Sequence, residues 1–474
     1  MDSDRAEPHI PRAMKTYRSY EPRQAFLLPP SPSEWLPEDH LAYFLLDVVA
    51  ELDLGAITAH YERELRGYPP HHPRMMVALL LYAYCVGIPS SRQIEKKTHE
   101  DVAFRVLAGN NHPDHKCISE FRRIHLDRIA ALFVQVLGIC RKAGLVKLGH
   151  VALDGTKIKA NASKHKAMSH ARMREQEQRL KTQVDALLAS AAHTDAAEDA
   201  TYGADKRGDE VPAELRRAEL RLKRIREAKA ALEAEAKAAA EAEKKAPSKD
   251  DGDDDDHGGG SSSGSSGDDD ELPKHRVPTT KDGAPTDKAQ RNFTDPDSRI
   301  MVGGDGFVQA YNAQIVVDDA HQIIVAHGVS NQPPDAEYFE PMLARAAENC
   351  GRMPATISAD NGYWSERNVD FADAQRTEAL IAPGRRKHHE QWDDVRARLP
   401  ERATPRRRMA ERLATPRANA LYRRRKVIVE PVFGQIKEAR RFRRMSMRGV
   451  DKARGEWALV CLTHNLLKLH RATR

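Results

Sequence analysis

The sequence has 474 residues, with 76 Lys and Arg against 70 Asp and Glu, and 40% of its residues are hydrophobic. At roughly 150 residues per domain, this length allows about three folded units and excludes a peptide or a small disulfide-stabilised scaffold. Five cysteines lie far apart without a CxxC pair, which excludes a disulfide framework and a zinc knuckle. Such cysteine usage fits the reducing cytoplasm, where we expect the protein to function.

Charge and hydropathy also bear on the partners of the chain. The N-terminus carries acids and proline where a signal peptide has a basic start, and the longest apolar stretch, 75–88, is shorter than the roughly 20 residues that cross a bilayer. We therefore expect no membrane partner.

The net charge of +6 conceals a basic C-terminal region, because residues 401–474 contain 21 Lys and Arg against 6 Asp and Glu. Clustered cations favour nucleic acid as a partner, with a solubilising surface as the alternative.

The first third of the chain divides into two parts. Residues 1–35 are rich in proline and charge and predict an extended arm. Residues 36–147 predict a helical domain, because apolar residues recur at intervals of three and four: Leu41, Phe44, Leu45, Val48 and Val49, then Met76, Leu79, Leu80 and Ala83, then Leu132, Val136 and Ile139. Turn signals at 87–95 and 112–123 leave two interpretations open, a helix-turn-helix that reads DNA and a purely structural bundle.

The middle of the chain predicts an insertion into a second domain. Residues 148–166 predict a buried strand that meets a loop at Asp154 and Gly155, as the first part of a sheet. Residues 167–248 predict a helical hairpin, whose second helix has an apolar seam interrupted by Lys229: Leu215, Ala218, Leu222, Ile225, Leu232 and Ala236. Residues 249–293 predict a disordered linker, because the stretch 250–271 has ten acidic residues, no Lys or Arg, and a Gly-Ser tract.

Residues 294–474 predict the rest of an α/β domain with a basic helical end. The predicted strands are 307–317, 322–329, 356–358 and 379–383, and the predicted helices between them are 334–349 and 363–373. A hairpin followed by strand and helix in alternation is typical of a mixed sheet flanked by helices. An Arg- and Pro-rich insertion, 384–420, precedes the helical end.

Three acidic residues stand in positions that favour metal chemistry. Asp154 and Asp360 each follow a short apolar strand and each has a glycine within two residues. The ends of adjacent strands are where an α/β sheet gathers its functional groups, and carboxylates there are ligands that Mg²⁺ prefers. Glu430 is the one acid between Glu411 and Glu438, within a cationic stretch; an ion pair with its neighbours is the alternative to metal binding.

The residues around these acids resemble a known family. The blocks Val151-Ala-Leu-Asp-Gly-Thr-Lys, Ser358-Ala-Asp-Asn-Gly-Tyr-Trp-Ser and Val429-Glu-Pro-Val-Phe-Gly-Gln-Ile-Lys are similar to the signature blocks of bacterial insertion-sequence transposases of the DDE class. The segments Asp295-Pro-Asp and Tyr311-Asn-Ala-Gln also match that group, and the helical stretch 42–123 resembles its N-terminal domain.

This resemblance implies an RNase H-like catalytic core with Asp154, Asp360 and Glu430 as the catalytic and metal-binding triad. It implies two Mg²⁺ ions, for which Mn²⁺ substitutes, and DNA as the partner, both the ends of the insertion sequence and the target. The DNA contacts it implies lie on and after the helix of Glu430: Tyr422, Arg425, Lys426, Lys437, Arg440 and Arg441. Related transposases place a Tyr and an Arg seven and four residues before the Glu, whereas Tyr422 and Arg425 are each displaced by one.

The expected function is therefore DNA cleavage at the ends of an insertion sequence and strand transfer into target DNA. Because two ends must be held together, we expect a homodimer in the DNA complex. Two alternatives remain at the level of sequence: a catalytically inactive DNA-binding regulator derived from a transposase, and a metal-dependent nuclease without strand transfer.

Overall fold

The computed structural model describes residues 32–63, 69–202, 213–245, 272–304, 306–385, 390–402 and 404–474. Most of the predicted N-terminal arm and all of the acidic run 250–271 lie outside the described residues. None of the helices in the described part of the chain is both long and apolar enough to cross a membrane.

The N-terminal region is all helical, as predicted. Its helices are α1 (Leu41–Glu51), α2 (Gly55–Glu62), α3 (Pro73–Cys85), α4 (Ser91–Glu100), α5 (Val102–Leu107) and α6 (His115–Lys142). Capping sets several of the helix starts, since Asp101 accepts from backbone N–H groups of α5 and Asp114 does the same for α6. The predicted apolar residues of this region are buried or packed against the core.

The insertion is a helical hairpin. Its helices are α7 (His170–Tyr202) and α8 (Ala213–Lys245). The first four seam residues of α8, from Leu215 to Ile225, pack against Met173, Leu180 and Val184 of α7. The charge that interrupts the seam has a partner, because Nζ of Lys229 lies 2.9 Å from Oε2 of Glu177 on α7.

One boundary of the insertion differs from the prediction. Residues 272–293, which the sequence assigned to the disordered linker, are placed in the fold and bury Leu272, Val277 and Ala289. Val277 and Ala289 pack against the last two seam residues of α8, Leu232 and Ala236. Apolar residues at wide spacing carry no periodic signal, so no strand or helix is predicted there from the sequence.

A six-stranded mixed sheet forms the centre of the molecule. The strands of the chain are β1 (His150–Lys159), β2 (Ala167–Ser169), β3 (Gln290–Asn292), β4 (Arg299–Gly303), β5 (Gly306–Asp318), β6 (Ile324–Ser330), β7 (Thr356–Ala359) and β8 (Glu378–Ile381). The main sheet has the order β4-β5-β1-β7-β8, with β6 also paired to β5, and β2 pairs with β3 apart from it. The β1-β5 pair is antiparallel, whereas β1-β7 and β7-β8 are parallel. The prediction of a mixed sheet is confirmed.

Strand β1 is longer than predicted. Asp154 lies inside it and not at its end, because antiparallel pairing with the long strand β5 continues from Val151 to Lys159. Gly155 is a strand residue, and a Cβ there would collide with the amide group of Gln314 on β5. A glycine that signals a loop in sequence marks a close approach of neighbouring side chains in this strand.

The remaining helices flank the sheet. They are α9 (Phe339–Cys350), α10 (Glu366–Ala374), α11 (Trp392–Ala397), α12 (Pro405–Ala414), α13 (Pro416–Gly434) and α14 (Val450–Thr473). A π-helical turn, Gln435–Ala439, continues α13. Helix α14 is buried along most of its length, and one hydrophobic core includes residues of α14, the sheet and the N-terminal helices. The N-terminal region therefore shares a core with the sheet.

Candidate active site

Asp154 lies on the central strand β1, and Asp360 directly follows the end of the neighbouring strand β7. Strand β1 pairs with β7 in parallel, with Ala152 opposite Ser358, and two residues further along each chain come Asp154 and Asp360. Because side chains alternate between faces, residues two apart share a face, and neighbouring strands are about 4.8 Å apart. The charge of Asp360 acts on Asp154 and raises its pKa.

The carboxylate of Asp154 is held by two donors. Its Oδ1 accepts from the backbone N–H of Gly155 at 2.8 Å, and its Oδ2 lies 3.1 Å from Nη1 of Arg425 on α13. Burial raises the pKa of Asp154 to about 6; the charge of Arg425 opposes that shift and the charge of Asp360 adds to it. A cation therefore already neutralises this carboxylate in the structure.

Asp360 starts a short turn. It precedes the 3-10 turn Asn361–Tyr363, and its Oδ1 accepts from the backbone N–H of Gly362 at 2.9 Å. The side chain of Tyr363 belongs to the core and is 1% exposed. Its hydroxyl donates to Oε1 of Gln314.

Helix α13 crosses β1 on the face of Asp154. Arg425 contacts Asp154, and Nζ of Lys437 donates to the hydroxyl of Thr156, two residues further along the strand. Glu430 lies on the helix between these two contacts, and its side chain is exposed. Glu430 shares this helix with both contacts to β1, but within the described residues no hydrogen bond or ion pair joins its side chain to Asp154 or Asp360.

A proline sets the local shape of α13 beside Glu430. Pro431 lies inside the helix and has no backbone N–H, so the carbonyl of Val427 loses its helical partner. That carbonyl accepts instead from Nε2 of Gln322 at 2.9 Å. The π-helical turn follows within the next five residues, and such turns are frequent at functional sites.

The six predicted DNA contacts occupy different environments. Lys426 and Arg441 are exposed, and Lys437 is partly buried with its ammonium 5.9 Å from the centre of the Phe433 ring. Tyr422 is partly buried and packs edge-on against Trp392 at 5.4 Å between ring centroids. Arg425 is 9% exposed and is bound to Asp154.

The prediction for Arg440 is corrected by the structure. Its side chain is 5% exposed, and its guanidinium donates to the carbonyl of Val460 and the hydroxyl of Thr463 on α14. Burial lowers the pKa of Arg440 to about 10. An arginine enclosed in this way joins the end of the π-helical turn to α14 and does not face DNA.

The donor atoms near Asp154 suit a hard divalent cation. Within the described ranges, no group of three His, Cys, Asp or Glu side chains is arranged to hold a metal ion. Asp154 and Asp360 supply carboxylate oxygens, Thr156 supplies a hydroxyl, and Mg²⁺ prefers oxygen ligands and retains several waters. The guanidinium on Oδ2 of Asp154 shows that positive charge is accommodated at this oxygen. These residues fit the ion.

The sequence reasoning missed Asp335. Its Oδ1 accepts from Lys157 at 3.2 Å, Asn312 at 2.6 Å and Gln314 at 3.0 Å. A Cβ placed on Gly362 would lie 3.6 Å from Oδ2 of Asp335 and 3.1 Å from Oδ1 of Asp360, so the two carboxylates are neighbours. The sequence feature that could have identified Asp335 is its position, because it is a third acidic residue that follows shortly after a strand, five residues beyond the end of β6.

Two family profiles match the chain. A transposase domain (DUF772) matches residues 30–123, which hold the helical N-terminal region, and a Transposase DDE domain matches residues 276–466. No curated protein and no solved structure gives a significant match. The mixed sheet with flanking helices is the architecture of an RNase H-like DDE domain, and this family generally uses divalent metal ions and acts on DNA. The chain belongs to the DDE transposases of insertion sequences.

Proposed function

We propose that this transposase cleaves DNA at the ends of its insertion sequence and joins those ends to target DNA, with Asp154, Asp360 and Glu430 as its catalytic triad. The observation that carries the proposal is the register of β1 and β7, which supports Asp154 and Asp360 as a pair of carboxylates on one face. The crossing of α13 over β1, with Glu430 between its two contacts to that strand, supports Glu430 as the third member.

Mg²⁺ is the proposed cofactor, and Mn²⁺ is its substitute. We propose that Asp154 and Asp360 hold the ions and that Glu430 completes the set of protein ligands. When bound, two such ions would supply activation of the attacking hydroxyl and neutralisation of charge on the leaving oxygen of an in-line displacement. The residues of the chain position these charges. In this proposal β1 holds Asp154, the end of β7 holds Asp360, and helix α13 supplies Glu430.

The basic end of the chain supports DNA as the substrate. Lys426 and Arg441 are exposed, and we propose that they bind phosphates of the DNA, as does Lys437 beside Thr156. Arg425 is proposed to contribute to the same surface when it leaves Asp154. Each phosphate contact releases counterions and adds to the salt dependence of binding. A homodimer in the DNA complex is proposed because two ends must react together.

The test is a cleavage and joining assay with a duplex that carries the sequence flanking the coding region. Asp154→Ala, Asp360→Ala and Glu430→Ala, assayed separately with Mg²⁺ or Mn²⁺, are each expected to lose cleavage by about a thousandfold or more, because each removes a ligand of the catalytic ions. Glu438→Ala is the matched control, since Glu438 is an exposed acid directly after Lys437 that pairs with Arg443. Unchanged cleavage in any of the three variants removes that residue from the triad.

The same assay separates the alternatives. Joined products with supplied target DNA indicate a transposase with strand transfer. Nicks or breaks without joined products indicate a metal-dependent nuclease. Specific binding without cleavage at any Mg²⁺ or Mn²⁺ concentration indicates a regulator derived from a transposase.

A further inference from the structure

The two aspartates are connected through a buried polar network on the opposite face of the sheet. Its centre is Gln314 on β5, which is fully buried and lies directly across from Gly155 in the β1-β5 pair. Gly155 follows Asp154, and a Cβ at this position would collide with the Gln314 amide in its present place. The amide therefore lies against the backbone of the strand that carries Asp154.

The other end of the amide reaches the turn that carries Asp360. Oε1 of Gln314 accepts from the hydroxyl of Tyr363, the last residue of the turn Asn361–Tyr363, and the backbone N–H of Tyr363 donates to the carbonyl of Asp360 at 3.3 Å. Because Tyr363 is buried, its hydroxyl has no access to bulk water as an alternative partner.

The orientation of the amide is itself fixed. Its Nε2 donates to Oδ1 of Asn312 at 2.9 Å and to Oδ1 of Asp335 at 3.0 Å, so Oε1 must face Tyr363. Asp335 in turn accepts from Lys157 and Asn312, and it adjoins the turn at Gly362. Buried polar networks in which each member has partners hold one arrangement and resist others.

We propose that Gln314 is a positioning residue of the catalytic site, which sets the separation of Asp154 and Asp360 by linking Gly155 to Tyr363. This inference depends on the proposed function, because it assumes that the two aspartates bind a metal ion together. Gln314 is proposed to contact neither DNA nor metal. It acts on the position of Asp154 through strand β1, and on the position of Asp360 through the turn Asn361–Tyr363.

The experiment measures Mn²⁺ binding by calorimetry on the full chain without DNA, and the Mn²⁺ concentration that gives half-maximal cleavage. Gln314→Met keeps the volume but removes the amide, Tyr363→Phe removes one hydroxyl, and Gly155→Ala displaces the amide. Each variant is expected to weaken Mn²⁺ binding by about tenfold. This is the lower end of the loss of affinity caused by mutating residues that support a metal ligand without binding the metal themselves. Apparent DNA affinity is expected to stay constant while kcat falls.

The matched control is Gln309→Met. Gln309 is a buried glutamine on the same strand that donates to the hydroxyl of Ser298 and not to the turn of Asp360. It is expected to leave Mn²⁺ binding unchanged. The double variant Gln314→Met with Tyr363→Phe is expected to be no weaker than the weaker single variant, since both remove the same hydrogen bond.

The outcomes are distinguishable from those for the triad. If Asp154→Ala and Asp360→Ala lose Mn²⁺ binding while Tyr363→Phe and Gln314→Met bind as the parent does, Gln314 has no positioning role and the proposed function stands. If the two alanine variants also bind as the parent does, the proposed metal site is overturned. Should Gln314→Met fold poorly, Tyr363→Phe gives the decision, because it deletes a single oxygen atom.

Discussion

Arg425 and Asp154 form an ion pair across one face of the sheet, with 3.1 Å between Nη1 of the guanidinium and Oδ2 of the carboxylate. Both side chains are mostly buried, and the second carboxylate oxygen accepts from the backbone of Gly155. The positive charge lies on a carboxylate oxygen of the proposed metal site. In that proposal the arginine and a metal ion compete for Asp154, and we expect the release of Arg425 to accompany metal binding.

This competition predicts the effect of removing the arginine. Arg425→Met is expected to tighten Mn²⁺ binding by the DNA-free protein by about tenfold, since a hydrogen bond between charged groups contributes roughly 1.5–3 kcal/mol. Cleavage is expected to fall at the same time, because a cation is lost from the DNA surface. Calorimetric titration and the cleavage assay measure the two effects.

The control for this prediction is the neighbouring residue. Arg424 is exposed and pairs with Asp319 at 3.2 Å, away from Asp154, so Arg424→Met is expected to bind Mn²⁺ as the parent does. Equal affinities in the Arg425 and Arg424 variants would show that the ion pair does not limit metal binding.

The burial of Arg440 predicts that some of the basic residues bind DNA phosphates, whereas Arg440 only stabilises the fold. Lys426→Ala and Arg441→Ala are each expected to reduce the slope of log affinity against log salt by about 1, as for the loss of one phosphate contact. Arg440→Met is expected to leave the slope unchanged and to lower the melting temperature, because it removes the hydrogen bonds to Val460 and Thr463. Fluorescence anisotropy at several salt concentrations measures the slopes. A reduced slope in Arg440→Met would mean that the arginine leaves its internal site to bind DNA.

The shared core predicts that the N-terminal helices and the sheet domain unfold together. The hydroxyl of Tyr84 on α3 donates at 2.8 Å to Oε1 of Glu456, a fully buried acid on α14. Tyr84→Phe is expected to lower the free energy of unfolding by about 1–3 kcal/mol, the cost of leaving a buried acceptor with fewer partners. Denaturation followed by circular dichroism and by tryptophan fluorescence should show one coincident transition.

A tyrosine on the same helix serves as the control for that variant. Tyr82 packs its ring against Phe104 at 5.0 Å, and its hydroxyl makes no hydrogen bond to a described residue. Tyr82→Phe is expected to change stability by less than about 0.5 kcal/mol. Two separated transitions in the parent protein would contradict the shared core.

Buried histidines predict that the protein loses stability in mild acid. His464 is 1% exposed and its Nε2 donates to the carbonyl of Gln322; burial lowers its pKa to about 3, with Arg440 adding to the effect. The unfolded chain, with a pKa near 6.5, binds the proton first. This contribution is therefore fully present above pH 6.5 and is lost as the pH falls toward 3, by about 1 kcal/mol per pH unit.

Melting temperatures at pH 7.5 and pH 5.5 measure this effect. His464→Gln retains a donor for Gln322 and is expected to show a smaller drop between the two values than the parent protein. His321→Gln, at an exposed turn, is expected to keep the parental drop. The same drop in all three proteins would assign the acid sensitivity to other histidines whose pKa values burial lowers, among them the buried His125 and His150.

The sequence determined the elements and the family of this protein. The helical seam of α8, the hairpin of β5 and β6, and the three blocks around Asp154, Asp360 and Glu430 were all readable, because local periodicity and short motifs are properties of neighbouring residues. The pairing of the two aspartates was also foreseeable, since parallel strands gather their functional groups at one edge of a sheet.

Only the tertiary structure decided the partners of these residues. Arg425 is far from Asp154 in sequence and Gln314 is far from Tyr363, and no spacing rule predicts which side chains meet across a sheet. The burial of Arg440 was equally hidden, because a basic run has the same composition whether a given arginine faces solvent or α14. Charge and periodicity are local quantities, whereas burial and hydrogen-bond partners depend on how distant segments pack.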